Sequence, residues 1–269
     1  MKNKFRYFKN FIKVLIWPII FTISQFLIQY IFVAIFNNKE RIGYSEKDFF
    51  KYIKTIEYQE KLNNFINSKT LLIIFITMIV FIPILTIVYK KYKKENSFRF
   101  KNIFIPMLMG ICISLIYNIT LYNLNNSINF TNIFEPSKLP ILVQIISSGI
   151  CGPILEELIF RGIVYNKLKT FNKPMIAIVL SSIIFGVVHG SIVNIIYTFG
   201  VSFILIYLYE KYKTLKAPII MHMFLNTTVI VLLPLISRNF IIFNTYLLII
   251  SIVLLVLINF KIANKNKNL

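Results

Sequence analysis

A cluster of charge interrupts an apolar segment in the stretch Cys151-Gly152-Pro153-Ile154-Leu155-Glu156-Glu157-Leu158-Ile159-Phe160-Arg161-Gly162. The sequence has 10 acidic residues in all, and the others fall in predicted loops, termini or helix ends. A carboxylate at bilayer depth costs several kcal/mol and is normally kept only where it has a function. Two adjacent carboxylates followed by an arginine therefore predict a functional site inside a membrane-spanning segment.

Helical geometry predicts different tasks for the two carboxylates. Glu157 and Arg161 are four residues apart on one helix face, so they can form an ion pair. Glu156 is turned by about 100° from Glu157, which leaves its carboxylate free to react. The alternative is a buried polar cluster that only holds helices together.

Composition indicates an all-α, polytopic membrane protein. Of the 269 residues, 57% are hydrophobic, and the mean hydropathy is +0.72, whereas soluble domains are about 45–50% apolar. The net charge of +20 resides mostly in short loops between apolar runs. This placement is typical of charges that orient a membrane protein, with no nucleic-acid motif beside them.

About eight spans are predicted, each long enough to cross hydrocarbon. Their approximate ranges are 11–36, 71–89, 103–122, 139–168, 174–190, 191–209, 217–236 and 240–260. The loops rich in Lys and Arg alternate with neutral or mixed ones, which places both termini in the cytoplasm. We divide the chain into an N-terminal membrane region (1–138), with an interfacial segment at 37–70, a catalytic core (139–236), and a last span with a basic tail (237–269).

The sequence contains two histidines, and both fall in predicted spans. His222 and Asn226 are four apart and share a helix face. Gly186 and Gly190 form a pair of small residues that predicts close helix approach beside His189. Counted from the basic turns at 1.5 Å per residue, Glu156 lies about 20 Å along its helix and His189 about 24 Å, but His222 only about 9 Å. A tilt, or a helix that starts before Ala217, would close that gap.

Two hydrolytic chemistries fit this set of side chains. A carboxylate and an imidazole can share a water as general base, while a second imidazole and an amide can stabilise an oxyanion. Alternatively, Glu156, His189 and His222 are three zinc ligands that leave a fourth position for water. Both chemistries end in hydrolysis of an amide bond.

The three motifs together resemble the CAAX protease and bacteriocin-processing family, also called the Abi family, which includes the Ras-converting prenyl proteases. The resemblance rests on Glu156-Glu157-x-x-x-Arg161, Phe185-x-x-x-His189 and His222-x-x-x-Asn226, in this order, and covers about residues 139–235. It implies an intramembrane endopeptidase of the glutamic type, formerly described as metal-dependent. The simplest expectation is that this endopeptidase needs no cofactor, and the alternative is that it needs zinc. Its expected substrates are peptides or proteins that carry a membrane anchor.

The same resemblance implies a role for each matching residue. Glu156 and His189 would activate water, and His222 and Asn226 would stabilise the oxyanion. Glu157, Arg161 and Phe185 would support the site. Bacterial members are associated with bacteriocin processing or self-immunity. Abundant Lys, Asn, Ile and Phe indicate an AT-rich bacterial genome, so the expected location is the bacterial cytoplasmic membrane.

Two other classes of function remain open at this stage. A non-enzymatic immunity or partner-binding membrane protein could use the same scaffold without needing all four polar residues. A proton or cation transporter could use Glu156, His189 and His222 as a relay, although the paired repeats common in transporters are not evident.

Overall fold

The computed structural model describes residues 2–92, 96–128, 139–232 and 241–267. Within these ranges the chain forms nine helices and no strand, which confirms the all-α prediction. The helices are α1 Lys2–Glu40, α2 Glu46–Tyr52, α3 Ile56–Lys90, α4 Phe104–Ile128, α5 Ile141–Lys169, α6 Pro174–Val187, α7 Ile192–Tyr212, α8 Lys216–Leu232 and α9 Ile241–Lys267.

The number of apolar helices agrees with the prediction of about eight spans. Five helices are long and apolar enough to cross a membrane by length and composition: α1, α3, α4, α5 and α7. Three shorter apolar segments lie in α6, α8 and α9. The predicted domain boundaries at 138 and 236 fall on residues outside the described ranges and remain predictions.

The segment 37–70, predicted as interfacial, is divided between three helices. It contains the end of α1, the short helix α2 and the beginning of α3. Ser45 and Thr55 cap α2 and α3, since each side-chain oxygen accepts a hydrogen bond from a backbone N–H in the first turn. The first part of α3 is therefore continuous with the predicted second span.

Helix α5 lies at the centre of the larger of two hydrophobic cores. Its residues Leu155, Ile159 and Ile163 are buried against side chains of α1, α3, α6 and α7. The second core joins α4, α7, α8 and α9 around Met221 and Leu205. Because α7 contributes to both cores and α8 contacts α4 and α5, the charged stretch of α5 is enclosed by helices.

Two π-helical segments flank the glutamate pair within α5. They span Ile145–Cys151 and Leu158–Tyr165, with an α-helical segment, Gly152–Glu157, between them. Gly152 and Pro153 favour an irregularity in this helix, and the helix continues past them after a π-helical segment that ends at Cys151. Such turns occur often at functional sites.

The predicted fifth span ends earlier than expected, and His189 lies just beyond it. Helix α6 ends at Val187, and Gly190 has a φ of 83°, which suits glycine and turns the chain toward α7. A Cβ on Gly186 would lie 3.0 Å from the Ile195 carbonyl oxygen, but one on Gly190 would meet nothing within 4 Å. The predicted pair of packing glycines is therefore wrong for Gly190, which serves a turn.

Gly110 allows α4 and α8 to approach each other closely. A Cβ at this position would lie 2.2 Å from the Met221 carbonyl oxygen. We expect Gly110→Ala to lower the free energy of unfolding by about 1–3 kcal/mol, because the backbones must separate. Thermal unfolding in detergent measures this loss.

Gly200→Ala is the matched control for this substitution. Gly200 lies inside α7 with open space around it, so alanine is expected to stabilise the helix by about 0.5–1 kcal/mol. Equal effects of the two substitutions would contradict the close contact at Gly110.

Candidate active site

The four predicted catalytic side chains all line one cavity of about 670 Å³. Glu156 comes from α5, His189 from the turn after α6, and His222 and Asn226 from α8. The cavity is also bordered by residues of α1, α3, α4 and α7. Three motifs far apart in sequence are thus brought to one place inside the helix bundle.

Glu156 faces both imidazoles. Its Oε2 lies 3.9 Å from Nε2 of His189 and 3.8 Å from Nε2 of His222. This oxygen is buried and has no hydrogen-bond partner among the described protein groups. A single water bound to the carboxylate and to an imidazole nitrogen at about 2.8 Å from each can span such a distance.

The end of helix α6 determines which nitrogen of His189 faces the carboxylate. The backbone N–H of His189 donates to Gly186 O, so the Phe185 carbonyl lacks its usual helical donor. The His189 side chain supplies one, because its Nδ1 lies 2.7 Å from Phe185 O. Since a carbonyl only accepts, Nδ1 carries the proton, and in the neutral ring Nε2 presents its lone pair to Glu156.

Glu157 lies behind the cavity and contacts both Arg161 and His222. Its Oε1 accepts a hydrogen bond from Nη1 of Arg161 at 2.8 Å and lies 2.8 Å from Nδ1 of His222. Both Glu157 and Arg161 have side chains that are 0% exposed. The pair predicted from spacing is present, but its contact with His222 was not predicted and holds that imidazole in a fixed orientation.

The structure closes the gap between the depths counted for His222 and Glu156, because the basic turns lie at different levels. Leu215 Cδ1 lies 3.4 Å from the position of a Cβ on Gly162, so the start of α8 is level with a point about two turns before the end of α5. About two turns further, antiparallel to α5, His222 meets the glutamate pair. Depths counted from Lys169 and from Lys216 are therefore not on the same scale.

Phe185 packs against three of the polar groups. Its ring centroid lies 4.2 Å from Cζ of Arg161, 4.7 Å from the ring centroid of His189 and 6.1 Å from that of His222. The ring of Phe185 is 1% exposed. It separates the buried ion pair from the cavity and offers the guanidinium a cation–π contact.

Asn226 is held by the backbone of α5. Its Nδ2 donates to the Ser148 carbonyl oxygen at 2.9 Å. Because this partner can only accept, the contacting atom must be the amide nitrogen, which retains a second N–H. Asn226 therefore reaches the cavity with one N–H bonded to Ser148 O and a second N–H that can donate to another acceptor.

Sequence patterns did not reveal several groups that line the cavity. Tyr117 of α4 and Tyr197 of α7 stack with ring centroids 3.4 Å apart, and neither hydroxyl has a partner among the described residues. Gln25 of α1 donates to Thr77 of α3 at the same cavity. Each of these residues stands singly in its helix, so no spacing rule marks these positions.

The three candidate zinc ligands do not form a tetrahedral site as arranged. Ligand atoms on a tetrahedral zinc with bonds of about 2.0–2.1 Å lie about 3.3 Å apart, whereas the distances from Glu156 to the imidazoles are 3.8 and 3.9 Å. Over the residues that the structure describes, no group of three or more His, Cys, Asp or Glu has the geometry to hold a metal ion. Independence from metal remains a prediction.

Comparison with known proteins finds related sequences for the part of the chain that carries the site. Residues 138–228 match the family model described as type II CAAX prenyl endopeptidase Rce1-like. "Putative membrane peptidase YdiL" of Bacillus subtilis is 37% identical over 90 residues, which are 34% of this chain and 37% of YdiL. No solved structure shows significant similarity to the chain.

Two further relatives are similar to this chain. The "UPF0177 protein YaiH" of Lactococcus lactis is 31% identical over 157 residues, which are 54% of this chain and 65% of YaiH. The "Membrane-embedded CAAX protease MroQ" of Staphylococcus aureus is 34% identical over 95 residues, 33% of this chain and 38% of MroQ. The chain thus spans between 37% and 65% of the lengths of these relatives. For residues 138–228, the resemblance to the CAAX protease family is confirmed.

Proposed function

We propose that the protein is an intramembrane endopeptidase that hydrolyses peptide bonds of membrane-associated substrates. The observation that carries the proposal is the placement of the Glu156 carboxylate 3.9 Å and 3.8 Å from two imidazole nitrogens. These groups lie in a cavity large enough for a segment of extended peptide. The match of residues 138–228 to a prenyl endopeptidase model supports the same reaction.

In the proposed reaction, Glu156 and His189 activate one water between them. The Glu156 carboxylate accepts a proton from the water while the water oxygen attacks the carbonyl carbon of the scissile bond. The lone pair on His189 Nε2 orients the water, because Nδ1 is protonated and bonded to Phe185 O. When the tetrahedral intermediate collapses, the accepted proton passes to the leaving amine nitrogen.

His222 and Asn226 are proposed to stabilise the oxyanion. Asn226 offers the second N–H of its anchored amide. His222 can donate from Nε2 when the ring carries both protons, with Nδ1 held at 2.8 Å from Glu157 Oε1.

The proposed substrate is a peptide or protein with a membrane anchor, of the CAAX type or a bacteriocin-related precursor. Exposed apolar side chains along α1, such as Ile23, Phe26 and Ile31, suit contact with the lipid bilayer.

The proposed location is the bacterial cytoplasmic membrane with both termini cytoplasmic. Residues 139–236 are the proposed catalytic core.

Cleavage of anchored reporters by the purified protein tests this function. A panel of prenylated, acylated and transmembrane peptides is incubated with wild type and with His189→Ala in detergent. We expect wild type to cleave at least one class and His189→Ala to lose about 100-fold or more in rate. Absence of cleavage across the panel and in liposomes would favour a non-enzymatic immunity or partner-binding protein on the same scaffold.

The proposed chemistry also predicts how the activity responds to metal removal. A strong chelator is expected to leave the rate of reporter cleavage unchanged, because the carboxylate and imidazoles supply the base and the donors. Metal analysis of the active protein checks the result independently and is expected to find far less than one zinc per chain. Inhibition by the chelator that zinc reverses would replace the glutamic mechanism by a metal-dependent one.

A further inference from the structure

We propose that Pro153 is a positioning residue that acts on Asn226 through the backbone of α5. The proposal rests on the proposed function only for its catalytic consequence. The structural part concerns one carbonyl, that of Ser148, which accepts the Asn226 amide at 2.9 Å. A carbonyl inside a continuous helix can accept a hydrogen bond from another helix only if its own helix does not supply a donor.

The π-turn removes the first of two helical donors. In an α-helix the Ser148 carbonyl would accept from the N–H of Gly152, four residues later. In this helix the N–H of Gly152 instead donates to Ser147 O, five residues back. The wider register therefore moves this donor to the neighbouring carbonyl.

Proline removes the second donor. In the π register the next residue, Pro153, would donate to Ser148 O. Its ring nitrogen has no hydrogen, so neither register supplies a donor to this carbonyl. Pro153 is buried in α5, where a carbonyl without a donor costs about 1–3 kcal/mol, and Asn226 satisfies it from α8.

This hydrogen bond fixes the direction of the amide. With one N–H of Asn226 on Ser148 O, the second N–H has a defined orientation, which an oxyanion donor needs. An alanine at position 153 would restore a backbone N–H that competes for Ser148 O. The Asn226 amide would then lose its hydrogen bond to Ser148 O, although the residue would stay at the same position in α8.

A double-mutant cycle tests the coupling between Pro153 and Asn226. We expect Pro153→Ala to lower kcat about tenfold or more with KM nearly unchanged, and Asn226→Ala to lower it about 100- to 1,000-fold. In the Asn226→Ala background, Pro153→Ala should have no further effect on kcat. Pro83→Ala, at a proline inside α3 that does not line the cavity, is the control and should keep the kcat of wild type.

Equal losses from Pro153→Ala in both backgrounds would overturn the proposal, because Pro153 would then act independently of Asn226. A kcat for Pro153→Ala equal to wild type would overturn it as well. If wild type cleaves nothing, or Asn226→Ala keeps full activity, the proposed function fails instead.

The hydrogen bond between Asn226 and the Ser148 carbonyl can be tested without an activity assay. In protein labelled with ¹⁵N-asparagine, the side-chain amide signal that disappears in Asn226→Ala identifies Asn226. This signal should shift in Pro153→Ala and stay in place in Pro83→Ala. An unshifted signal in Pro153→Ala would overturn the structural part of the proposal whatever the activity shows.

Discussion

Glu156→Gln is expected to lower the rate of peptide hydrolysis by about 100- to 10,000-fold while the protein remains folded. Glutamine has nearly the same shape as glutamate, but its amide is not a base and cannot accept the proton of the attacking water. The Glu156 side chain is 28% exposed, and its Oε2 has no hydrogen-bond partner within the described ranges. Its charge is therefore available for catalysis and contributes little to folding.

Initial rates on a cleaved reporter, together with thermal unfolding in detergent, measure both effects. Glu57→Gln is the matched control, because Glu57 forms a solvent-exposed ion pair with Lys61 on α3 and should keep the rate of wild type. Retention of more than a tenth of the wild-type rate by Glu156→Gln would show that another group activates the water.

Arg161→Met is expected to lower the free energy of unfolding by about 3–5 kcal/mol. The substitution removes the guanidinium that bonds to Glu157 at 2.8 Å and packs on the ring of Phe185. It leaves a carboxylate that is 0% exposed with His222 as its remaining partner. A buried charge that loses its partner is costly, and methionine replaces the bulk of the side chain without replacing its charge.

Two further variants make this prediction specific to burial. Arg41→Met breaks an ion pair of the same 2.8 Å length, but its partners are 52% and 89% exposed, so the loss should be below about 1 kcal/mol. Glu157→Gln combined with Arg161→Met removes both buried charges and should recover part of the stability. Thermal unfolding of the four proteins in one detergent compares them directly. Similar losses for Arg161→Met and Arg41→Met would show that the buried pair contributes no more than a surface pair.

Loss of each partner of Glu157 is expected to have a different consequence. Arg161 is buried behind Phe185 and does not line the cavity, so its loss should act mainly on folding. His222 lines the cavity and is oriented by the same carboxylate oxygen. Glu157 thus connects the stability of α5 to the position of a proposed oxyanion donor on α8.

The π-turns show how much of a local signal the sequence could interpret. Gly152 and Pro153 mark an irregularity in the helix, and the structure gives it as a π-helical segment directly before them. The Ser148 carbonyl in this segment accepts from Asn226, 78 residues away along the chain, so a local pattern could not predict this contact.

Sequence patterns alone were enough to predict the helical class, the approximate spans, the resemblance of three motifs to one family, and the neighbours on each helix face. Glu157 with Arg161 and His222 with Asn226 are such neighbours, because helical geometry relates residues four apart. The packing of the helices was needed to show that Glu157 also contacts His222, that α1, α3 and α4 help to line the cavity, and that His222 is level with Glu156. Periodicity fixes directions within one helix, whereas the relative level of two helices depends on side-chain packing between them, as at Gly162 and Leu215.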